Sequence, residues 1–134
     1  MTVTASETCT LQREEDGAVV ADALRLANTF STRLRGLIGR RLEPRGGLWL
    51  EPCSSIHMMF VPYAIDVVFV RRAGEPLRPG AEGEVLKVCS HVRPWIGLAW
   101  CSGATSALEL RAGRADELGL RAGDRLRLGP RSAA

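Results

Sequence analysis

The sequence predicts a mainly β fold (α+β), an antiparallel β sandwich or half-barrel with one main helix packed against it. Three observations lead there. Short runs of Val, Leu, Ile and Phe recur along the chain, and turn residues separate them. Only one stretch, around 29–41, has helical periodicity instead. The length of 134 residues and the 46% apolar content suit one core that needs no metal or disulfide staple. The expected organisation is an N-terminal edge strand or flexible end over 1–16, a single β-rich domain over 17–129 and a tail over 130–134.

Taken in order, Thr8–Arg13 reads as a short edge strand and 18–27, rich in Val, Leu and Ala, as the next strand. Thr29 or Ser31 can cap the helix that follows, because a hydroxyl accepts a bond from an otherwise unpaired amide of the first turn. Phe30, Leu34, Leu37, Ile38 and Arg41 form its stripe, and Pro44 to Gly47 stops it. Leu48-Trp49-Leu50 and Ile65–Val70 are strand-like. Ala73-Gly74 reads as a hairpin turn and 76–83, with two prolines and two glycines, as a surface loop. Val85–Val88 and Ser106–Leu110 are further strands, Arg114–Leu118 one helical turn, and Arg125–Leu128 the last strand. Many short strands with turns between them suit a sandwich or barrel.

The formal net charge is only +3, which argues against nucleic acid as a partner. Lys87 is the only lysine among 18 basic residues. The longest apolar run, 58–70, contains Asp66 and Pro62 and falls short of the ~20 residues that span a bilayer, so no membrane insertion is expected. The N-terminus lacks the basic and apolar pattern of a secretory signal. The expectation is therefore a cytoplasmic protein in which Cys9, Cys53, Cys89 and Cys101 are free thiols.

Three groups of residues carry candidate chemistry. Cys53 with His57 and Cys89 with His91 match no zinc pattern, since fingers pair like ligands across a tight turn. An extended Cys53–His57 segment spans about 13 Å, too long for one ion, so no metal and no cofactor is expected. Cys53, His57 and Asp66 are the candidate catalytic set: a thiol, a base and an orienting acid. The bland alternative is that Cys53 is a small buried apolar residue and His57 a satisfied partner of its surroundings. Cys53 has no neighbouring lysine or arginine in sequence to favour a thiolate, so it is not expected to be a strong nucleophile. Asp66, within a strand of Ile, Val and Phe, must be buried and paired, with backbone amides or an arginine, Arg33 first. Arg33, Arg40, Trp49 and Cys101 are the candidate binding residues; the arginines at 33, 35, 40, 41 and 45 are the dense basic cluster.

These stretches resemble the bacterial and archaeal proteins called domain of unknown function 192. The resemblance rests on 32–40 (Thr-Arg-Leu-Arg-Gly-Leu-Ile-Gly-Arg), 47–50, His57 to Phe60, Pro62, Ile65 to Phe69, Ala107 to Gly113 and the Gly119 to Asp124 turn. It covers about 18–128. The family implies a β-rich sandwich or half-barrel with a helix against it, and no activity. Some relatives lie near genes for pilus or secretion machinery, which implies an accessory role and a protein partner there. The segment 76–83 departs from the family pattern as an insertion.

The reading placed first is therefore a non-enzymatic binding or accessory module, offering a groove or edge strand to a protein or small ligand. The alternatives are an enzyme using Cys53, His57 and Asp66, and a metal-binding protein using the Cys/His pairs.

Overall fold

Why strands of Val and Leu curl into a closed surface is visible in the computed structural model, which describes residues 8–27 and 42–131. Among them lie nine strands and one short helix: β1 (Thr8–Arg13), β2 (Val19–Ala27), β3 (Gly46–Leu50), β4 (Ser55–His57), β5 (Ile65–Arg71), β6 (Glu82–Val92), β7 (Leu98–Trp100), β8 (Ser106–Arg111), α1 (Arg114–Leu118) and β9 (Arg125–Arg131). Seven strands close into a barrel in the order β1-β2-β3-β8-β5-β6-β9, and β4 and β7 form a separate two-stranded ribbon. No helix among the described residues is long and apolar enough to cross a membrane.

The mainly β class holds, and the finer geometry differs from expectation in three ways. The sheet is a closed barrel rather than a sandwich or half-barrel. Closure comes from β1 pairing with β9, with Leu11 opposite Leu128 and Gln12 opposite Arg127. Closure removes the exposed edges that an open sheet would leave, but strand patterning does not reveal which edges meet. Second, the sheet is not wholly antiparallel: β2 and β3 run parallel, with Leu24 opposite Gly47. Parallel neighbours need a long crossover, and 28–41 falls within that connection. The helix expected there, with Arg33 and Arg40, lies outside the described residues. Third, the ribbon strands β4 and β7 span three residues each, too short for any periodicity to register.

Two apolar layers explain why β3, β5 and β8 are buried on both faces. Inward-facing Leu11, Leu24, Val68, Val70, Leu108 and Leu126 fill the barrel. Outward-facing Leu48, Ile65, Val67 and Phe69 pack under Ile56 and Ala99 of the ribbon. A strand covered on both sides reads as a continuous apolar run, as β5 does.

Polar residues close the barrel ends. Asp66 is 0% exposed and points toward the end plugged by α1. Its Oδ1 accepts from the amide of His91 at 2.9 Å, and its Oδ2 from the amides of Gly113 at 3.1 Å and Ala115 at 2.9 Å. Gly113 sits at φ 94°, a left-handed conformation that a side chain would strain. Arg114 extends the closure, its Nη2 donating to the Val19 carbonyl at 2.8 Å. Near the C-terminal end of β5, Glu51 accepts from Arg72, Ser106 and Trp49. Burial pushes the Glu51 carboxyl up, but these hydrogen bonds outweigh it and hold the group below its ordinary range. Asp66 is thus buried and held by backbone amides, one of the two kinds of partner expected; Arg33, the arginine named first, lies outside the described residues.

Asp66→Ala should lower the free energy of unfolding by about 1–3 kcal/mol, because the buried amide of Ala115 and the part-buried amides of His91 and Gly113 lose their acceptor. Asp66→Asn, keeping one acceptor oxygen, should lose less. Urea titration of both variants measures this, and an unchanged midpoint for Asp66→Ala would refute the role assigned to the carboxylate.

Candidate functional site

Among the described residues, side chains fill the barrel interior. Leu11, Trp49, Leu77, Leu126 and Leu128 leave a void of about 10 Å³ beside Arg72, enough for one water. Arg72 Nη1 is buried there without a hydrogen-bond partner among the described residues. Any larger site must lie outside the barrel.

Outside, two turns are locked together by backbone bonds. The amide of Met58 donates to the Gly97 carbonyl at 3.0 Å, and that of Trp95 to the Val61 carbonyl at 3.1 Å. A Cβ on Gly97 would collide with the Arg93 backbone, so only glycine permits this tight return. The turns present Met59, Phe60, Trp95 and Ile96 to solvent, and β7 adds Leu98 and Trp100, whose alternation with buried Ala99 faces both outward. All six are more than half exposed, Ile96 at 76%. Phe60 and Trp95 sit at φ 69° and 64°, left-handed conformations that cost a bulky residue roughly 1–2 kcal/mol. Their rings meet edge to face at 6.0 Å.

Beside this face, Lys87, Cys89, Arg93, Ile96, Leu98 and Trp100 line a groove of about 420 Å³. Lys87 Nζ donates to the Trp100 carbonyl at 2.9 Å and lies 5.4 Å from the centre of its ring, a cation–π contact. β6 forms the floor. β5 pairs along it from Glu84 to Val92, whereas β9 pairs on the other side only from Glu82 to Glu84. Beyond Val85, held by Gly123 and Asp124, residues 86–92 have no strand on that side among the described residues. A strand edge of this kind presents unpaired N–H and C=O groups in register.

Those of the residues singled out from sequence that are described sit on several elements and the loops between them. Asp66 is engaged by three amides, and the imidazole nearest its carboxylate is that of His91, with Nδ1 3.9 Å from Oδ1. His57 is exposed on β4, and its imidazole makes no hydrogen bond or ion pair among the described residues. Cys53 Sγ donates to the Ser55 carbonyl at 3.2 Å. Cys53, Cys89 and Cys101 are half-buried against the outer apolar layer. Burial pushes the Cys89 thiol up, with Lys87 opposing weakly and Cys101 adding to it. Among the described residues no three His, Cys, Asp or Glu side chains converge as metal ligands do. Trp49 is buried in the barrel, its Nε1 donating to Glu51 at 3.2 Å. Arg33 and Arg40 lie outside the described residues.

One residue the sequence reading missed is Glu109. It lies on the outer face of β8 between Leu48 and Val67, with Oε2 buried and lacking a partner among the described residues. Burial pushes its carboxyl up to about 8, and Arg25 opposes this only in part. The same signal that marked Asp66, an acid inside Ala107-Leu108-Glu109-Leu110, was available for it.

A family model described as uncharacterised ACR, domain of unknown function 192, matches residues 11–128. A protein of unknown function from Novosphingobium aromaticivorans shares the fold with a TM-score of 0.70 at 21% identity, over 88% of this chain and 83% of that one. A protein from Sinorhizobium meliloti, described as a proposed transcription regulator, gives a TM-score of 0.73 at 21% identity, over 96% and 98%. At that identity both are similar in fold alone. No curated protein matches the sequence.

Glu109 makes stability depend on pH. Its folded pKa of about 8 exceeds the ordinary 4.5, so the folded state holds a proton that the unfolded state releases, and stability falls as pH rises between those values. The loss should total on the order of 4 kcal/mol. Glu109→Gln should match wild type near pH 5 and exceed it in melting temperature near pH 9. Parallel melting curves for the two proteins across that range would disprove the buried neutral carboxyl.

Proposed function

The chain belongs to the domain of unknown function 192 family, and from that premise, which assigns no activity, we propose a non-enzymatic binding module that takes an extended segment of a partner protein along the open edge of β6. The observation that carries this reading is the meeting, on one face, of an unpaired strand edge, a groove of about 420 Å³ and six exposed large apolar side chains. Backbone hydrogen bonds to β6 supply affinity, and the apolar side chains of the face select alternate side chains of the guest. Contiguous exposed apolar surface of this kind marks interaction sites in folded proteins.

Burying an apolar side chain contributes roughly 1.5–3 kcal/mol, so three or four of the six contribute about 5–12 kcal/mol toward the cost of association, and backbone hydrogen bonds to β6 add to that. The left-handed backbone at Phe60 and Trp95 supports the same reading, since relaxing it would withdraw both rings from solvent contact only by giving up the locked turns.

An enzyme built on Cys53, His57 and Asp66 has less support. The Asp66 oxygens are turned to backbone amides inside the fold, leaving His57 without an orienting acid in hydrogen-bond contact.

Panning a random dodecapeptide library against the full chain tests the proposal. Peptides with apolar residues at alternate positions should be enriched, and N-methylating alternate amides of a selected peptide should abolish its binding. A variant carrying Leu98→Asp and Trp100→Asp, with unchanged melting, should enrich none of them. Equal enrichment on that variant would contradict the proposal.

A further inference from the structure

We propose that the segment accepted by this face is acidic as well as apolar, its apolar side chains alternating with Asp or Glu. This rests on the strand-accepting reading above and adds the partner's chemistry.

The distribution of charge carries the inference. The face is built from two stretches, 52–65 and 85–108, and neither contains a single Asp or Glu. They hold Lys87, Arg93, His57 and His91. Elsewhere several surface arginines are matched: Arg45 with Asp22, Arg71 with Glu84, Arg111 with Glu117, and Arg127 with both Glu14 and Glu82. Arg93 has no such match. It is exposed at the groove and has no acidic partner among the described residues. Its guanidinium keeps five donors in a planar fork suited to a carboxylate.

Lys87 is braced by the Trp100 carbonyl and ring, which places its ammonium on the outer face of β6 in the groove. An ammonium carries three donors, so the bond to Trp100 leaves two. Cations grouped without counter-charge favour an anionic partner and disfavour a basic one, which adds specificity and association rate.

A chain fits this geometry better than an anionic bilayer. The basic groups line a concave groove beside an open β edge, and a bilayer surface offers no ladder of donors and acceptors to pair with 86–90.

The test uses three soluble octapeptides in which Val alternates with Glu, Ser or Lys, titrated against the full chain at low salt. The Val/Glu peptide should bind about tenfold more tightly than Val/Ser, with Val/Lys weakest, and high salt should erase the difference. Arg93→Glu, and more mildly Arg93→Gln, should remove the advantage of Val/Glu over Val/Ser, with the melting temperature unchanged. Equal affinity for Val/Glu and Val/Ser would overturn the acidic preference and leave the strand-accepting reading standing. Failure of all three peptides to bind would overturn both. Phosphatidylserine vesicles that bind the chain and displace the Val/Glu peptide would overturn it in favour of an anionic lipid surface.

Discussion

One buried carboxylate ties together segments that otherwise meet only at the barrel end. Asp66 lies on β5, the strand between β6 and β8, and its two oxygens hold the end of β6 through His91 and the start of α1 through Gly113 and Ala115. A backbone amide buried without an acceptor costs free energy comparable to a lost hydrogen bond, and this one side chain answers for the buried amide of Ala115 and two part-buried ones. With α1 seated, Ala115 and Leu120 complete the inner apolar layer. With His91 held at φ 52°, the chain leaves β6 in the direction that starts the turn containing Trp95 and Ile96. The exposed face thus inherits its position from the clamp on the opposite side of the same strand.

The division between inside and outside decides where function can reside. Side chains fill the barrel to within one water, and Arg72 with Glu51 sets polar groups against that last void. The outer layer under the ribbon is equally committed to packing through Ile56, Met58 and Ala99. Among the described residues, the outward side of the ribbon, the two locked turns and the edge of β6 remain exposed. Glu109 lies in the covered outer layer, where burial pushes its carboxyl up and its Oε2 has no hydrogen-bond partner among the described residues.

Much of the framework was legible in the residues. The strands at Thr8–Arg13, Ile65–Arg71 and Ser106–Arg111, the helical turn at Arg114–Leu118 and the buried Asp66 follow from apolar runs and from the cost of a bare carboxylate. Barrel closure was not legible, because the pairing of Leu11 with Leu128 joins residues more than a hundred positions apart and nothing local encodes it. The candidate face was missed for a different reason. Met59, Phe60, Trp95 and Leu98 read as core residues in any hydropathy pattern, and only the three-residue strands and the tight return at Gly97 direct them outward. The open edge of β6 was invisible too, since it depends on where β9 stops pairing.

Amide hydrogen exchange on the intact chain measures the clamp most directly. The amides of His91, Gly113 and Ala115 belong to a strand end and a short helix start, where exchange is ordinarily fast. Bound to Asp66 they should exchange only with global unfolding, as slowly as those of Val67 and Val68 in β5. Exchange of the three at the rate of open loops, with β5 still protected, would contradict the central role given to Asp66.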